Sequence, residues 1–247
     1  MEKQVDVNIA SLWRDGHILT TVETVLTNKE TRTITIVANK YTDKQFEYIK
    51  EGLLNLNLLT QKPIYLHRGD NAKGSNEKLK YAHYGDGKYI SFVDDDLLLA
   101  PNHYEYLIKG CEKYNAYVSL HGMTLHQRPV RSFYGNRDVY RGLKTVHFDM
   151  EVDIASNCGS LFKREFFGND GLKEIYQMCG ETSMDDIYMA YACKKRGIPR
   201  YVLAHPEGFL RHKEIKQTDN YVFDKYIKQL GVTDRVQTEF INKHWDK

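Results

Sequence analysis

The chain has 247 residues, of which 41% are hydrophobic and 12% aromatic, with only 5 prolines; this is enough to bury a sizeable core and excludes a disordered composition. Its 35 Lys and Arg against 33 Asp and Glu leave a net charge of +2, so no global basic field points to nucleic acid or a membrane surface. The 4 cysteines, Cys111, Cys158, Cys179 and Cys193, form no C-x-x-C pair and are expected as reduced thiols, and the lack of an apolar leader or of about 18 successive apolar residues predicts a cytoplasmic chain without a transmembrane segment.

In chain order, β-branched and apolar runs predict strands at Val5 to Leu12, Thr33 to Ala38, Pro63 to His67, Tyr89 to Val93 and Ala116 to Leu120. Helical spacing predicts helices at His17 to Leu26, with Ile18, Val22 and Val25 on one face, and at Asp43 to Asn55, Asn76 to Tyr84 and Asn102 to Tyr114. This alternation predicts an α/β fold, a mostly parallel central sheet flanked by helices. Residues 121–156 scatter Gly122, Pro129, Gly135 and Gly142 among basic and aromatic residues and are expected as long loops over a site. A strand at Cys158 to Phe162, a helix from Met184 to Arg196 that stops at Gly197, and a strand at Arg200 to Leu203 complete a domain of residues 1–213. Residues 214–247 are polar with helical spacing and are expected as a C-terminal helical extension, lying across the body as a lid or an oligomer contact.

The stretch GKYISFVDDDLLL carries the chemistry. A buried-strand run, Tyr89 to Val93, empties into Asp94, Asp95 and Asp96, three carboxylates that repel one another. In an open α/β sheet, ligands bind outside the carboxyl ends of the strands, and acids gathered there call for a cation. Hard oxygen donors favour Mn²⁺ or Mg²⁺, whose shells are completed by water and substrate phosphates. The plainer alternative is one acid capping a helix and two facing solvent.

Spacing favours the first reading. Asn71, Gly87, Tyr89, Ile90, Phe92, Asp94 and Asp96 fall, without a gap, on the pattern that precedes the D-x-D motif of family 2 glycosyltransferases. A second stretch, DDIYMAYACKKRG, opens a helix on Asp185 and Asp186 and closes it at Gly197, where that family has an E-D pair and a Gly at the same interval, then a strand and a His, here His212. Over residues 5–212 the chain therefore resembles a family 2 glycosyltransferase of the GT-A fold, with Rossmann-like topology. Three positions depart from the pattern: Lys78 stands for the usual Arg, Asp185 for Glu, and Asn39 for an acid, while Ala192 lies near a frequent Arg.

The resemblance implies inverting transfer of a sugar from a nucleoside diphosphate donor, UDP being the commoner, to an acceptor hydroxyl. It assigns Asp186 as catalytic base with Asp185 beside it, Asp96 as metal ligand with Asp94 and His212, and Ser11, Arg14, Asn39, Asp70, Lys78, Asp94 and Asp95 around the nucleotide. His205 competes with His212, and Asp186 alone would also read as an acid favoured by a helix N-terminus. For the acceptor, residues 126–147 interleave Arg128, Arg131, Arg137, Arg141 and Lys144 with Phe133, Tyr134 and Tyr140, and Arg131, Tyr134 and Arg137 are the candidates. A solvated loop with ordinary surface charge is the favoured reading of that segment. A glycan acceptor is expected first, and nucleic acid carrying a hydroxylated base second. Two other classes, a Mg²⁺-dependent phosphohydrolase and a polyanion-binding module, share parts of these signals.

Overall fold

A computed structural model gives the fold and describes residues 4–14, 16–180, 184–213 and 232–245. The first half runs β1 (Val5–Leu12), α1 (Ile18–Thr27), β2 (Thr31–Asn39), α2 (Asp43–Thr60), β3 (Ile64–Gly69) and β4 (Tyr89–Asp94). Next come β5 (Leu97–Leu99), α3 (His103–Tyr114), β6 (Tyr117–Ser119), β7 (Gly122–Leu125), β8 (Arg137–Tyr140), β9 (Met150–Glu151), β10 (Ile154–Ala155) and β11 (Phe162–Lys163). The chain finishes with α4 (Gly168–Met178), α5 (Asp185–Lys195), β12 (Arg200–Val202), β13 (Leu210–His212) and α6 (Val232–His244).

The central sheet has the order β11-β4-β1-β2-β3, with β4, β1, β2 and β3 parallel and β11 antiparallel. Strand alternation divides the core between its faces. On β4, Tyr89 and Val93 join the cluster under α1, α2 and α3, whereas Ile90 and Phe92 join the cluster under α4 and α5. Because the order reverses at β1, the connections leaving β1 and arriving at β4 pass over opposite faces, and a crevice opens between their carboxyl ends. Ser11 and Arg14 follow β1, and Asp94 to Asp96 follow β4, so both groups line it.

Local chemistry sets several boundaries. At the start of α2, Thr42 Oγ1 accepts from the Gln45 N–H at 3.3 Å and Gln45 Oε1 accepts from the Thr42 N–H at 2.9 Å, a reciprocal cap. At the amino ends of the strands, buried Asp6 accepts from Thr33 Oγ1 at 2.8 Å, Arg32 Nη1 at 3.1 Å, the Gly87 N–H at 2.8 Å and Arg164 Nη2 at 2.7 Å. Gly87 is glycine for this reason: a Cβ there would sit 2.8 Å from the Asp6 carboxylate.

The structure corrects four expectations. Asn76 to Tyr84 forms two 3₁₀ turns, Gly74–Leu79 and Ala82–Tyr84, instead of an α-helix. Four successive residues of the first turn, Asn76 to Leu79, are buried, which a one-faced helix cannot arrange. Residues 121–156 hold β7 to β10, strands of two to four residues that are too short to show alternation. The strand expected from Cys158 is confined to Phe162–Lys163, because Gly159 turns the chain with φ 70°. Finally, α4 was not expected at all; it buries Leu172 and Ile175, only two large apolar side chains on a polar helix. The tail expected from Glu214 onward lies outside the described residues as far as 231; α6 beyond it packs on α5, with Phe240 edge-on to Tyr188 at 5.0 Å and Ile241 and the adjacent Trp245 buried.

Replacing Asp6 with Ala strips two arginines and a backbone donor of their shared acceptor at a site remote from the crevice. Asp6→Ala is expected to lower the unfolding free energy by about 3–5 kcal/mol in urea titration, and a loss below about 1 kcal/mol would contradict this account of the hub.

Candidate active site

Ser11, the penultimate residue of β1, donates to Asp95 Oδ2 at 2.7 Å and lies 2.7 Å from the Tyr41 hydroxyl. The Arg14 guanidinium bridges Asp95 and Asp96, reaching Asp96 Oδ2 at 3.2 Å. The Asp95 main chain is held as well, its carbonyl accepting from Thr21 Oγ1 at 2.8 Å. Burial pushes the Asp95 carboxyl up to about 6, against the pull of Arg14. Asp96 is reached from the other side by β13. That strand pairs antiparallel with β5, setting His212 opposite Leu97, so that His212 Nδ1 stands 3.9 Å from Asp96 Oδ2 and the Lys213 N–H donates to the Asp96 carbonyl at 2.9 Å.

Asp94 turns away from its two neighbours. Its carboxylate takes a hydrogen bond from Lys78, whose ammonium also lies 3.1 Å from Asp185 Oδ2. Lys78 is only 2% exposed, and its burial opposes its charge; the flanking Asp185 and Asp94 outweigh that and raise its pKa. Asp185 also accepts from Ser75 Oγ and from Asn157 Nδ2 at 2.8 Å. Burial acts upward on Asp185, but Lys78, Ser75 and Asn157 together overcome it and hold the carboxyl below its ordinary value.

Asp186, one position on, meets a different environment. Ser156 Oγ donates to it at 2.9 Å and the Asn157 N–H at 2.7 Å, and it lines a cavity of about 210 Å³ with Asp185, His121, Phe133, Tyr134 and Arg137. Burial, and then the charge of Asp185, push the Asp186 carboxyl up to about 7. A carboxylate that binds and releases protons near neutrality can serve as a general base.

The remaining candidates divide. Asn39 ends β2, buried, and its Oδ1 has no hydrogen-bond partner. Asp70 is exposed and its Oδ1 accepts from the Ala72 N–H at 2.9 Å. Tyr134 and Arg137 line the cavity, but Arg131 is exposed and does not. His205 is structural: it is buried, and its Nδ1 bonds the Leu203 carbonyl at 2.7 Å. Asp94, Asp96 and His212 do not converge, because Lys78 draws Asp94 aside; among the described residues no three His, Cys, Asp or Glu side chains are grouped to hold an ion. Ser75, Ser156, Asn157, His121 and Gln237 are site residues that sequence reasoning missed. Each acquires its place through contacts distant along the chain, so no local signal marked it.

The glycosyl transferase family 2 model matches residues 14–170, and the chain belongs to that family: it is a glycosyltransferase of the GT-A fold. Among solved structures it resembles a mannosyltransferase, PcManGT from Pyrobaculum calidifontis, in complex with GDP-Man and Mn²⁺, with a TM-score of 0.56 and 15% identity over 98% of this chain and 70% of that one. That identity carries the likeness of fold alone. A search of the curated proteins finds no match. No helix among the described residues is long and apolar enough to cross a membrane.

Lys78→Met is expected to lower stability by about 3–5 kcal/mol at pH 7, because Asp94 and Asp185 lose their counter-ion. The stabilisation carried by a depressed Asp185 pKa exists above the unfolded value of about 4 and is lost as pH falls through the lower folded value, so the penalty seen at pH 7 should shrink only below about pH 4 and be smaller at about pH 3. Urea titrations at the two pH values measure it; an equal penalty at both would contradict the assignment.

Proposed function

We propose that this glycosyltransferase moves a sugar from a nucleoside diphosphate donor to a hydroxyl of a glycan, with inversion at the anomeric carbon and a divalent ion at the diphosphate. The observation that carries the reading is the meeting of two acidic motifs, distant in sequence, at one buried ammonium: Lys78 contacts both Asp94 and Asp185. The mannosyltransferase of similar fold, bound to GDP-Man and Mn²⁺, supports a nucleotide-sugar donor and a divalent ion.

The residues present fit such an ion. His212 Nδ1 and Asp96 Oδ2 lie 3.9 Å apart, a separation that one cation bonded to both at about 2.0–2.2 Å can span. A mixed imidazole and carboxylate pair suits Mn²⁺ better than Mg²⁺, which prefers oxygen throughout. When bound, the ion would offset the charge that develops on the departing diphosphate. Asp96 and His212 would hold it, while Asp94 is held by Lys78 and Asp95 by Arg14 and Ser11. Arg14 and Lys78 are then the cations nearest the phosphates.

The unpartnered Oδ1 of Asn39 accepts from a ring N–H of the base, as the N3–H of uracil offers, and Asp70 flanks the nucleoside. A Cβ at Gly69 would sit 2.1 Å from that Oδ1, so the glycine keeps the approach open. At the other end of the donor, the acceptor oxygen attacks the anomeric carbon from the face opposite the diphosphate. The bond from that carbon to the phosphate oxygen breaks, its electron pair leaves with the nucleotide, and the acceptor's proton passes to Asp186. Ser156 and Asn157 hold Asp186 in place for this, at 2.9 and 2.7 Å.

The test is a thermal-shift panel of UDP- and GDP-sugars with and without Mn²⁺, followed by transfer assays. Asp96→Asn is expected to lose the Mn²⁺-dependent donor shift. Asp186→Asn should keep that shift and lose transfer by about 10²- to 10⁴-fold. In the unsubstituted enzyme the rate should rise with pH through about 7, as Asp186 loses its proton, and this limb should be absent from the residual rate of Asp186→Asn. Equal transfer by the two variants would refute the division of roles.

A further inference from the structure

The hairpin of β7 and β8 delivers to the cavity a cation that forms no direct ion pair with a carboxylate among the described residues. Arg137 opens β8, its guanidinium stacked 4.2 Å from the centre of the Phe133 ring and 4.3 Å from that of Tyr134, with Nη1 3.0 Å from Met123 Sδ. Its buried Nε has no hydrogen-bond partner, and no carboxylate among the described residues forms an ion pair with it. Two other cations of this basic segment are matched, Arg128 with Asp153 at 2.6 Å and Lys144 with Glu207 at 3.0 Å. Arg137 is also the only cation among the described residues that line the cavity. A guanidinium drawn out of water with a donor unfilled is costly unless something completes its bonding.

The surroundings are built and not incidental. Helix α6 fixes the two rings through their main chain: the Phe133 N–H donates to Thr238 Oγ1 and the Tyr134 N–H to Asp234 Oδ1, each at 2.9 Å. Asp234 Oδ1 also takes Ser132 Oγ at 3.1 Å, so that oxygen is already engaged near Arg137. Across the strand, His121 Nδ1 accepts from the Gly142 N–H at 3.3 Å, which leaves the hydrogen on Nε2 as a further neutral donor. The 210 Å³ volume lies below the roughly 300–1,000 Å³ of drug-sized pockets, so it suits a single ring.

We infer that the acceptor sugar ring carries an anionic group, a carboxylate or a phosphate, which binds the Arg137 guanidinium while the ring's attacking hydroxyl faces Asp186. This rests on the proposal that the Asp186 side of the site receives the acceptor. The stacked, prepositioned fork suits the two oxygens of such a group, which a lysine would meet only as a point charge.

Binding of methyl glucuronide, glucose 6-phosphate and methyl glucoside is measured by calorimetry, on the free protein and on protein with Mn²⁺ and either UDP or GDP. At least one anionic sugar should bind saturably and about 10-fold or more tighter than methyl glucoside. Arg137→Met should weaken that binding by about 10- to 100-fold, and Arg137→Lys should restore part of it. The nucleotide-induced thermal shift of each variant shows that the fold and the donor side are intact. Comparison of the glucuronide with the phosphate tells which anion is taken. Anionic sugars that bind no better than the neutral one, or not at all, overturn the inference, as does an Arg137→Met protein that binds them normally. A nucleotide shift in the same protein then leaves the donor reading standing, whereas its loss from the unsubstituted enzyme strikes that reading instead.

Discussion

The site depends on one buried ammonium. Lys78 joins the end of β4, through Asp94, to the first turn of α5, through Asp185. Removing such charges from water costs several kcal/mol per ion, and only close mutual contact offsets it. The strand end and the helix start are therefore fixed relative to one another, because drift would leave a charge unpaired in the interior. Adjacent helix positions point about 100° apart. With Asp185 turned to Lys78, Asn157 and Ser75, Asp186 is rotated towards the cavity. One acid of the pair is held below its ordinary pKa by its neighbours and the other is raised, chiefly by burial, to about 7, so the ion pair also separates the more acidic carboxylate from one that can take a proton near neutrality.

Topology decides where this charge gathers. The strand order places the carboxyl ends of β1 and β4 side by side, and Arg14 after the first meets Asp95 and Asp96 after the second. The short pairing of β5 with β13 then returns His212 to the same acids. Five carboxylates, Asp94 to Asp96 with Asp185 and Asp186, face three cations, Arg14, Lys78 and Arg137. Burial pushes the Asp95 and Asp186 carboxyls up, and the neighbouring carboxylates of that excess add to it. The cation proposed at Asp96 and His212 would offset part of that negative charge.

Legibility in the sequence followed the range of the forces involved. Strands β1 to β4 showed themselves because each is a continuous β-branched or apolar run, and β1 was bounded at Val5 and Leu12 as found. The acids were visible as motifs, since adjacency and the interval from Asp185 to Gly197 are properties of the chain itself. By contrast, the strands within 121–156 exist only by pairing with one another and with β12, and a stretch of two to four residues carries no period. Lys78 was placed among the nucleotide-binding residues by its register, yet nothing local told that Asp94 would turn to it and leave Asp96 and His212 as the closer pair. Ser156 and Asn157 were hidden for the same reason: a serine and an asparagine in an aperiodic stretch become an aspartate's partners only once α5 is packed beside them.

The two sides of the site are supported by different means, which bears on how each can vary. Arg14, Lys78 and Asp94 to Asp96 lie within the matched span, and they hold one another by side-chain charges, so a change at one disturbs the rest. The wall that carries Arg137 is secured from α6, outside that span, by Asn242, Thr238 and Asp234, which bond the main chain of Val130, Phe133 and Tyr134. Main-chain donors and acceptors survive substitution of the side chains that follow them. The identity of the rings and of the guanidinium can therefore change while the wall keeps its place. Under the proposed assignment, acceptor preference is thus free to vary where the charge network of the donor side is not.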